Sequence, residues 1–176
     1  MAKKVAVLVM NPVNGAGLFQ YLEAFFENKV PFKTFAVSET TSVKTNSGVE
    51  FATDDVVANL KGHEDDFDAL VFACGDAVPA FGQNADKQFN QDMLAVIGAF
   101  EAKDKLLIGH CAAAMMFDNV GVGKGARVAL HPFIKDAVKN VIGTDEKAVV
   151  DDNLFTAQTE DAIYTLLPQL IEALKE

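Results

Sequence analysis

The sequence predicts one α/β domain over residues 1–176, a three-layer sandwich in which helices cover both faces of a mostly parallel β-sheet. Strand-like segments alternate with segments whose apolar residues recur at helical spacing, which is the pattern of βαβ units. The strand-like runs are apolar without interruption, as expected for a sheet buried on both faces. Half of the 176 residues are hydrophobic and 23% are charged, a composition typical of globular domains.

Composition also excludes several classes of function. The net charge of −10 disfavours binding to nucleic acid or to an anionic membrane surface. No apolar run reaches the length of a membrane span, and the apolar N-terminus is too short for a signal peptide. Two distant cysteines do not form a secreted disulfide framework. We therefore expect a cytoplasmic protein, and no spacing of residues indicates a metal or another cofactor.

The first half of the chain contains the signals of three buried strands and two helices. The predicted elements are, in order, a strand over 5–10, a helix carrying Leu18, Leu22, Phe25 and Phe26, a strand over 32–37, a polar hairpin within 38–51, a short helix capped by 53–55 and a strand over 67–74. On the first helix, Phe19 and Tyr21 fit either a dimer face or the interior.

The second half continues the alternation. The predicted elements are a helix capped by Asn84 with a stripe of Phe89, Met93, Ile97 and Phe100, a strand over 106–109, a helix ending near Gly121, a strand over 127–130, a helix beginning at Pro132, two strands over 147–151 and 153–156, and a final helix that Pro168 kinks or breaks.

Cys111 follows an apolar strand and a glycine, and good helix formers follow it. This order predicts a nucleophile elbow in which cysteine replaces serine at the start of a helix. The free N–H groups of that helix would favour the thiolate over the thiol. The alternative is an inert buried cysteine, which is common in protein interiors.

Polar or reactive groups end three of the predicted parallel strands, at 10–15, 73–76 and 109–111. Ligands of open parallel sheets bind outside the carboxyl ends of the strands, so we expect the site there. The turn at Gly75 and the helix start at Ala112 suit backbone N–H donors to an oxyanion.

Two segments carry a resemblance to a known family. Residues 108–112 read Ile-Gly-His-Cys-Ala, and residues 121–132 read Gly-Val-Gly-Lys-Gly-Ala-Arg-Val-Ala-Leu-His-Pro at a matching distance from the cysteine. The chain thereby resembles the ThiJ/PfpI superfamily, in particular its DJ-1 branch. The resemblance implies a flavodoxin-like fold related to class I glutamine amidotransferases, a homodimer, a reactive Cys111, a histidine beside it at His131, and N–H donors in the Gly75 turn.

The sequence departs from the superfamily pattern at two positions. The acidic residue that members usually carry on the first strand-to-helix turn aligns with Gly17, and no carboxylate is adjacent to it in the sequence. Cys74 stands where members commonly have a glycine or another small residue. Cys74 is interpreted either as a small apolar residue that ends a strand or as a redox partner of Cys111.

The remaining candidates each have two interpretations. His131, held extended by the following proline, is either a base or ion-pair partner of Cys111 or a loop residue that satisfies backbone groups. His110 should point to the face opposite Cys111, where it could line a pocket or meet a partner subunit. Asn14 is a candidate pocket residue. Asp76 is either a partial substitute for the missing carboxylate or an ordinary turn residue.

The resemblance implies a cysteine-dependent enzyme that acts on a small reactive carbonyl compound, as a glyoxalase-like or deglycase-like hydrolase or lyase with Cys111 as nucleophile. The absence of the carboxylate leaves an alternative open, in which Cys111 is oxidised without turnover and the protein is a redox sensor that responds to an oxidant. A peptidase is the least favoured reading, because an elbow in a small domain gives little room for a polypeptide.

Overall fold

The computed structural model describes residues 1–176. The strands are β1 (Val5–Val9), β2 (Phe32–Ala36), β3 (Ser42–Lys44), β4 (Glu50–Ala52), β5 (Asp55–Val56), β6 (Ala69–Ala73), β7 (Leu106–His110), β8 (Arg127–Ala129), β9 (Ile142–Thr144), β10 (Ala148–Asp151) and β11 (Leu154–Ala157). The helices are α1 (Gly15–Glu27), α2 (Val57–Leu60), α3 (Gln88–Ala102), α4 (Ala113–Asn119) and α5 (Ile163–Lys175). Short 3₁₀ helices occupy Glu64–Asp66, Phe81–Gln83, Pro132–Ala137 and Glu160–Ala162.

A seven-stranded sheet forms the centre of the molecule, with strand order β10-β11-β7-β6-β1-β2-β5. Every neighbouring pair in this sheet is parallel except β10 and β11. Val5 of β1 lies opposite Phe32 on one side and Ala69 on the other, so these strands end together at the same edge. The mostly parallel, flavodoxin-like α/β architecture is confirmed, and the ends of β1, β6 and β7 are adjacent.

The apolar side chains of the sheet divide into two cores, one on each face. Alternate residues of β1 pack with helices α2, α3 and α4 on one face and with α1 and α5 on the other. All five residues of β1 are buried, which explains the uninterrupted apolar run. None of the helices combines the length and the apolar character that crossing a membrane would need.

Two helix boundaries differ from the prediction. Helix α3 begins after Lys87 and not at Asn84, because Asn84 closes the preceding 3₁₀ turn and its carbonyl oxygen accepts the side-chain amide of Asn90 (2.8 Å). Residues 53–55 do not cap α2 through a side chain. The carboxylate of Asp54 instead accepts the backbone N–H and the hydroxyl of Thr34 (2.8 and 2.9 Å).

Helix α5 remains a single helix across Pro168. A proline leaves the carbonyl four residues earlier without its helical donor, here the carbonyl of Tyr164. Both residues are exposed, so water can satisfy that group. On α1, Tyr21 is fully buried, whereas Phe26, predicted to lie in the apolar stripe, is 75% exposed.

The carboxylate of Asp118 near the end of α4 organises the segment that precedes β9. It accepts the backbone N–H groups of Lys139, Asn140 and Val141 at 2.9, 2.6 and 3.0 Å. Burial raises the pKa of this carboxyl, but the donated hydrogen bonds outweigh burial and hold the pKa below its usual value of 3.8.

We expect Asp118→Asn to lower the free energy of unfolding at neutral pH by about 1–3 kcal/mol, because an amide cannot satisfy the same donors. The carboxylate stabilises the fold above the unfolded-state pKa, and this contribution is lost as the pH falls through the lower folded-state pKa. The difference from wild type should therefore shrink in acid. Denaturant unfolding at several pH values measures it, with exposed Asp136→Asn as the control. Equal stability of wild type and Asp118→Asn at pH 7 would contradict the assignment.

Candidate active site

Strand β7 passes into helix α4 through a sharp turn at Cys111. The backbone of Cys111 has φ +57°, a left-handed conformation that is uncommon for a residue with a side chain. Gly109 permits the turn, because a Cβ atom there would lie 2.3 Å from the Cβ of Ala113. The predicted elbow is therefore present, and the helix folds back so closely that a side chain at Gly109 would collide with it.

Backbone hydrogen bonds hold Cys111 on two sides. Its N–H donates to the carbonyl of Ala157 at the end of β11, and its carbonyl accepts the N–H of His131, each at 3.2 Å. A left-handed conformation costs a residue other than glycine about 1–3 kcal/mol, and these bonds help to maintain it. They also fix the loop after β8 against the elbow.

The end of β6 makes a similarly close contact with the loop between β1 and α1. A Cβ atom at Gly75 would lie 2.4 Å from the carbonyl oxygen of Pro12, so glycine allows the two loops to touch. The N–H of Asn14 donates to the carbonyl of Cys74 at 2.9 Å. The side chain of Asn14 caps α1 by accepting the N–H of Gly17 at 2.6 Å.

A pocket of about 600 Å³ opens at these strand ends. The predicted site residues that line it are Asn14, Cys74, Gly75, Asp76, Cys111, Ala112 and His131. His110 is the exception, since it is buried and does not line the pocket. The structure therefore brings these seven predicted residues together around one pocket, and their chemical roles stay predictions.

The N–H of Gly75 donates to no acceptor within the protein, whereas the N–H of Ala112 donates to the sulfur of Cys111. Both residues line the pocket beside the sulfur of Cys111. Free backbone donors in such a position can stabilise negative charge on a substrate oxygen. The arrangement is suitable for the oxyanion role predicted for these two residues.

The two thiols differ sharply in environment, and both are reduced. Cys111 is partly exposed, whereas Cys74 is only 3% exposed. A hydrogen bond from the Cys74 thiol is the main influence on the pKa of Cys111, and it lowers this pKa. Burial and the charge of Glu160 raise the pKa, whereas a hydrogen bond from the Ala112 N–H lowers it further. The same hydrogen bond and burial raise the pKa of Cys74 well above its usual value. Cys111, which is less buried, is therefore the sulfur of the pair that ionises more readily, and Cys74 is the donor in their interaction.

The ring of His131 is oriented by the backbone of the following 3₁₀ helix. Its Nδ1 accepts the N–H of Phe133 at 3.2 Å. A neutral imidazole that accepts at Nδ1 carries its proton on Nε2. In this arrangement His131 offers a hydrogen-bond donor to the pocket, which suits proton donation better than proton abstraction.

Comparison with known proteins decides the family. Residues 3–173 match the model of the DJ-1/PfpI family. The chain belongs to this family. It is 63% identical to the protein ppBat of Bacteroides thetaiotaomicron over 175 residues, which cover 99% of this chain and all of that protein.

Solved structures agree in fold with this member of the DJ-1/PfpI family. A Bacteroides thetaiotaomicron protein provisionally described as protease I is 63% identical and superimposes with a TM-score of 0.98 over 99% of this chain and 100% of its own. DJ-1beta of Drosophila melanogaster is 21% identical, with a TM-score of 0.83 over 99% of this chain and 91% of its own. A cysteine-to-alanine mutant of a DJ-1 superfamily protein from Salmonella typhimurium is 23% identical, with a TM-score of 0.85 over 98% of this chain and 90% of its own.

The structure explains how the chain accommodates its departure from the family pattern at Gly17. A Cβ atom at Gly17 would lie 2.3 Å from Nε2 of His110 and 2.6 Å from its Cε1. The imidazole of His110 therefore occupies the space that a side chain at position 17 would enter. As predicted, it projects from the strand on the face opposite Cys111, toward α1, but it is enclosed within the protein.

Sequence reasoning did not identify the carboxylates of Glu160 and Asp161, which also line the pocket. They follow the end of β11, which lies parallel to β7 in the sheet. Ligands of parallel sheets bind outside the carboxyl ends of the strands, and these two residues follow such a strand end. The sequence therefore contained the information needed to predict them. Asn46, which accepts the N–H of Asp76 at 3.1 Å, comes from the hairpin excursion and had no such signal.

We expect Gly17→Ala to destabilise the protein by about 1–3 kcal/mol, because the new methyl group would displace the buried ring of His110. The matched control is Gly98→Ala in α3, where a Cβ atom would meet nothing within 4 Å. That change should stabilise the helix by up to about 1 kcal/mol. Thermal and denaturant unfolding distinguish the two, and equal stabilisation by both substitutions would show that His110 does not fill this space.

Proposed function

We propose that the protein is a cysteine-dependent enzyme that acts on a small reactive carbonyl compound, such as an α-oxoaldehyde. One observation carries the proposal: the sulfur of Cys111, with a lowered pKa, faces a pocket that is also lined by the backbone of Gly75 and Ala112, whose N–H groups lie beside it. A thiolate is the reactive form of cysteine, and the N–H groups can bind the oxygen on which charge develops.

In the first step, the Cys111 thiolate attacks the aldehyde carbon and forms a carbon–sulfur bond. The electron pair of the C=O π bond moves to oxygen, where the N–H groups of Gly75 and Ala112 stabilise the negative charge. Nε2–H of His131 then acts as general acid toward this oxygen while a water molecule in the pocket protonates the ring in the same step, which yields a neutral hemithioacetal. The hydroxide that remains is neutralised by the proton that the product acid later releases.

Conversion of an α-oxoaldehyde to a hydroxy acid requires two further proton transfers. One proton moves from the former aldehyde carbon to the neighbouring carbon, and the hydroxyl proton of the hemithioacetal moves to the neighbouring oxygen. Glu160 and Asp161, two of the carboxylates that line the pocket, can accept and return these protons. Water then hydrolyses the resulting thioester, so that the net reaction is addition of one water molecule to the substrate.

The charge of the pocket favours neutral substrates. Asp76, Glu160 and Asp161 line it, and no lysine or arginine does. A carboxylate or phosphate on the substrate would meet repulsion from these groups at short range. Among reactive carbonyls, neutral oxoaldehydes are therefore preferred to oxoacids and sugar phosphates.

A peptidase, as the description of one relative suggests, fits this site less well. A pocket of about 600 Å³ holds a small molecule, whereas a polypeptide needs an extended cleft. Assembly as a homodimer and a cytoplasmic location stay predictions from the sequence.

The proposal predicts that the purified protein converts methylglyoxal to lactate and that Cys111→Ser abolishes this activity. His131→Ala should reduce the rate by about 10²-fold, the usual contribution of a general acid. His63→Ala provides a matched control, because His63 is exposed and outside the pocket. Lactate formation measures the activity; identical rates for wild type and Cys111→Ser would exclude Cys111 as the nucleophile.

A second candidate function is redox sensing, and the contact between the two thiols favours it. Peroxide would oxidise the Cys111 thiolate to a sulfenic acid, with release of water after one proton is taken up. The Cys74 sulfur could then attack the sulfenic sulfur, with formation of a disulfide and release of a second water molecule.

Intact-mass spectrometry after brief treatment with hydrogen peroxide tests this second function. Loss of two hydrogen atoms would indicate the disulfide, and Cys74→Ala should convert that product to a gain of one or two oxygen atoms on the Cys111 peptide. An unmodified Cys111 in both proteins would contradict redox sensing.

A further inference from the structure

Behind the two thiols lies a buried polar chain that the proposed mechanism does not use. The hydroxyl of Tyr21 lies 3.3 Å from Nδ1 of His110, and Nε2 of the same ring lies 3.6 Å from the sulfur of Cys74. Tyr21 is fully buried and His110 is 1% exposed. Cys74 and Cys111 line the same pocket, and an interaction between the two thiols shifts the pKa of each in opposite directions. The four side chains thus form one continuous path from the interior to the pocket.

The protons of this path can be assigned by counting donors and acceptors. The Tyr21 hydroxyl has one polar partner, Nδ1 of His110, so its hydrogen must point there or remain unsatisfied. A buried unsatisfied donor costs about 1–3 kcal/mol, which decides between the two tautomers of His110. With Nδ1 as acceptor, the ring proton is on Nε2 and points at Cys74. The Cys74 proton is then directed to Cys111.

We propose that Tyr21, His110 and Cys74 are positioning residues that form a one-way chain of hydrogen bonds, whose last donor, the S–H of Cys74, is directed to the sulfur of Cys111. The imidazole of His110 within this chain occupies the space that a side chain at Gly17 would enter. The inference deepens the proposed function, because it concerns the same sulfur, but it does not depend on the identity of the substrate.

The chain keeps its direction only while its members remain neutral, and their burial ensures this. Burial lowers the pKa of His110 to about 4, so the imidazole is uncharged throughout the neutral range. Burial, followed by electrostatic interaction with the neighbouring Cys74, raises the pKa of Tyr21 well above its usual value. At neutral pH neither residue exchanges its proton, and each therefore supplies a fixed donor.

The other groups around Cys111 explain why such a chain is needed. Glu160 opposes ionisation of the sulfur, and Asp76 and Asp161 add negative charge to the same pocket. His131 is the remaining titratable group there, and the Ala112 N–H supplies the other donor to the sulfur. Against several carboxylates and partial burial, the S–H of Cys74 is the largest influence that favours the thiolate.

The test is the pH dependence of iodoacetamide alkylation, followed on the Cys111 peptide by mass spectrometry. Cys74→Ala removes the last donor and should raise the apparent thiol pKa by at least one unit, which slows alkylation about tenfold below that pKa. Cys74→Ser retains an O–H donor and should largely restore the wild-type profile. Equal shifts in the two variants would overturn the proposal, because the effect would then come from packing.

The remote end of the chain is tested by Tyr21→Phe. Without the hydroxyl, His110 is free to adopt either tautomer, so Cys74 can donate to Nε2 instead of Cys111, and the apparent pKa of Cys111 should rise. The protein's other tyrosine, Tyr164, is 61% exposed and gives the matched control Tyr164→Phe, which should leave the profile unchanged. Circular dichroism verifies that both variants fold. A folded Tyr21→Phe protein with the wild-type profile would refute a directional chain.

Alkylation does not require turnover, so the two proposals fail separately. A wild-type protein without activity on methylglyoxal, but with the expected order of thiol pKa values, would refute the carbonyl function and leave the chain intact. Full activity on methylglyoxal with identical alkylation profiles in all variants would refute the hydrogen-bonded chain and leave the carbonyl function intact.

Discussion

The left-handed turn at Cys111 is the constraint on which the site depends. It brings the sulfur to the carboxyl edge of a parallel sheet, and it requires a glycine at 109 because α4 folds back onto β7. Hydrogen bonds to Ala157 and His131 hold the turn between two further segments. The pocket, the N–H groups of Gly75 and Ala112 and the loop that carries His131 all take their positions relative to this one residue. Packing of the two cores, which fix the strands on either face, offsets the cost of this backbone conformation.

The replacement at Gly17 shows how one departure from a family pattern requires another. Loss of the side chain at 17 leaves a space beside the elbow, and the imidazole of His110 fills it. A histidine in that space needs partners for both ring nitrogens, because an unsatisfied buried nitrogen is costly. Tyr21 supplies one and Cys74 the other. Gly17 and Cys74, the two positions at which the sequence departs from the resemblance, therefore both adjoin the same buried histidine.

The sequence predicted the architecture well because long apolar strands and amphipathic helices carry their signals locally. It failed for elements without such signals: β5 and β9 are two and three residues long, and their pairing depends on neighbours distant in sequence. The elbow was recognisable because strand, glycine, cysteine and helix are contiguous. The alternation of side chains along β7 correctly placed His110 on the face opposite Cys111. The contact between Tyr21 and His110 could not be predicted, because it depends on how α1 packs on the sheet and no local sequence pattern specifies that packing.

The substitution of a hydrogen-bonded chain for a carboxylate also divides the chemistry of the site. A carboxylate beside the sulfur can both orient a thiolate and exchange a proton with the substrate. A chain of neutral donors can do only the first, because His110 and Tyr21 keep their protons throughout the neutral range. Proton exchange must then fall to other groups that line the pocket, namely Glu160, Asp161 and His131. Stabilisation of the nucleophile and transfer of protons are thus assigned to separate sets of residues. A substitution in the buried chain should alter the ionisation of the sulfur, whereas a substitution of a pocket carboxylate or of His131 should alter the steps that follow the attack.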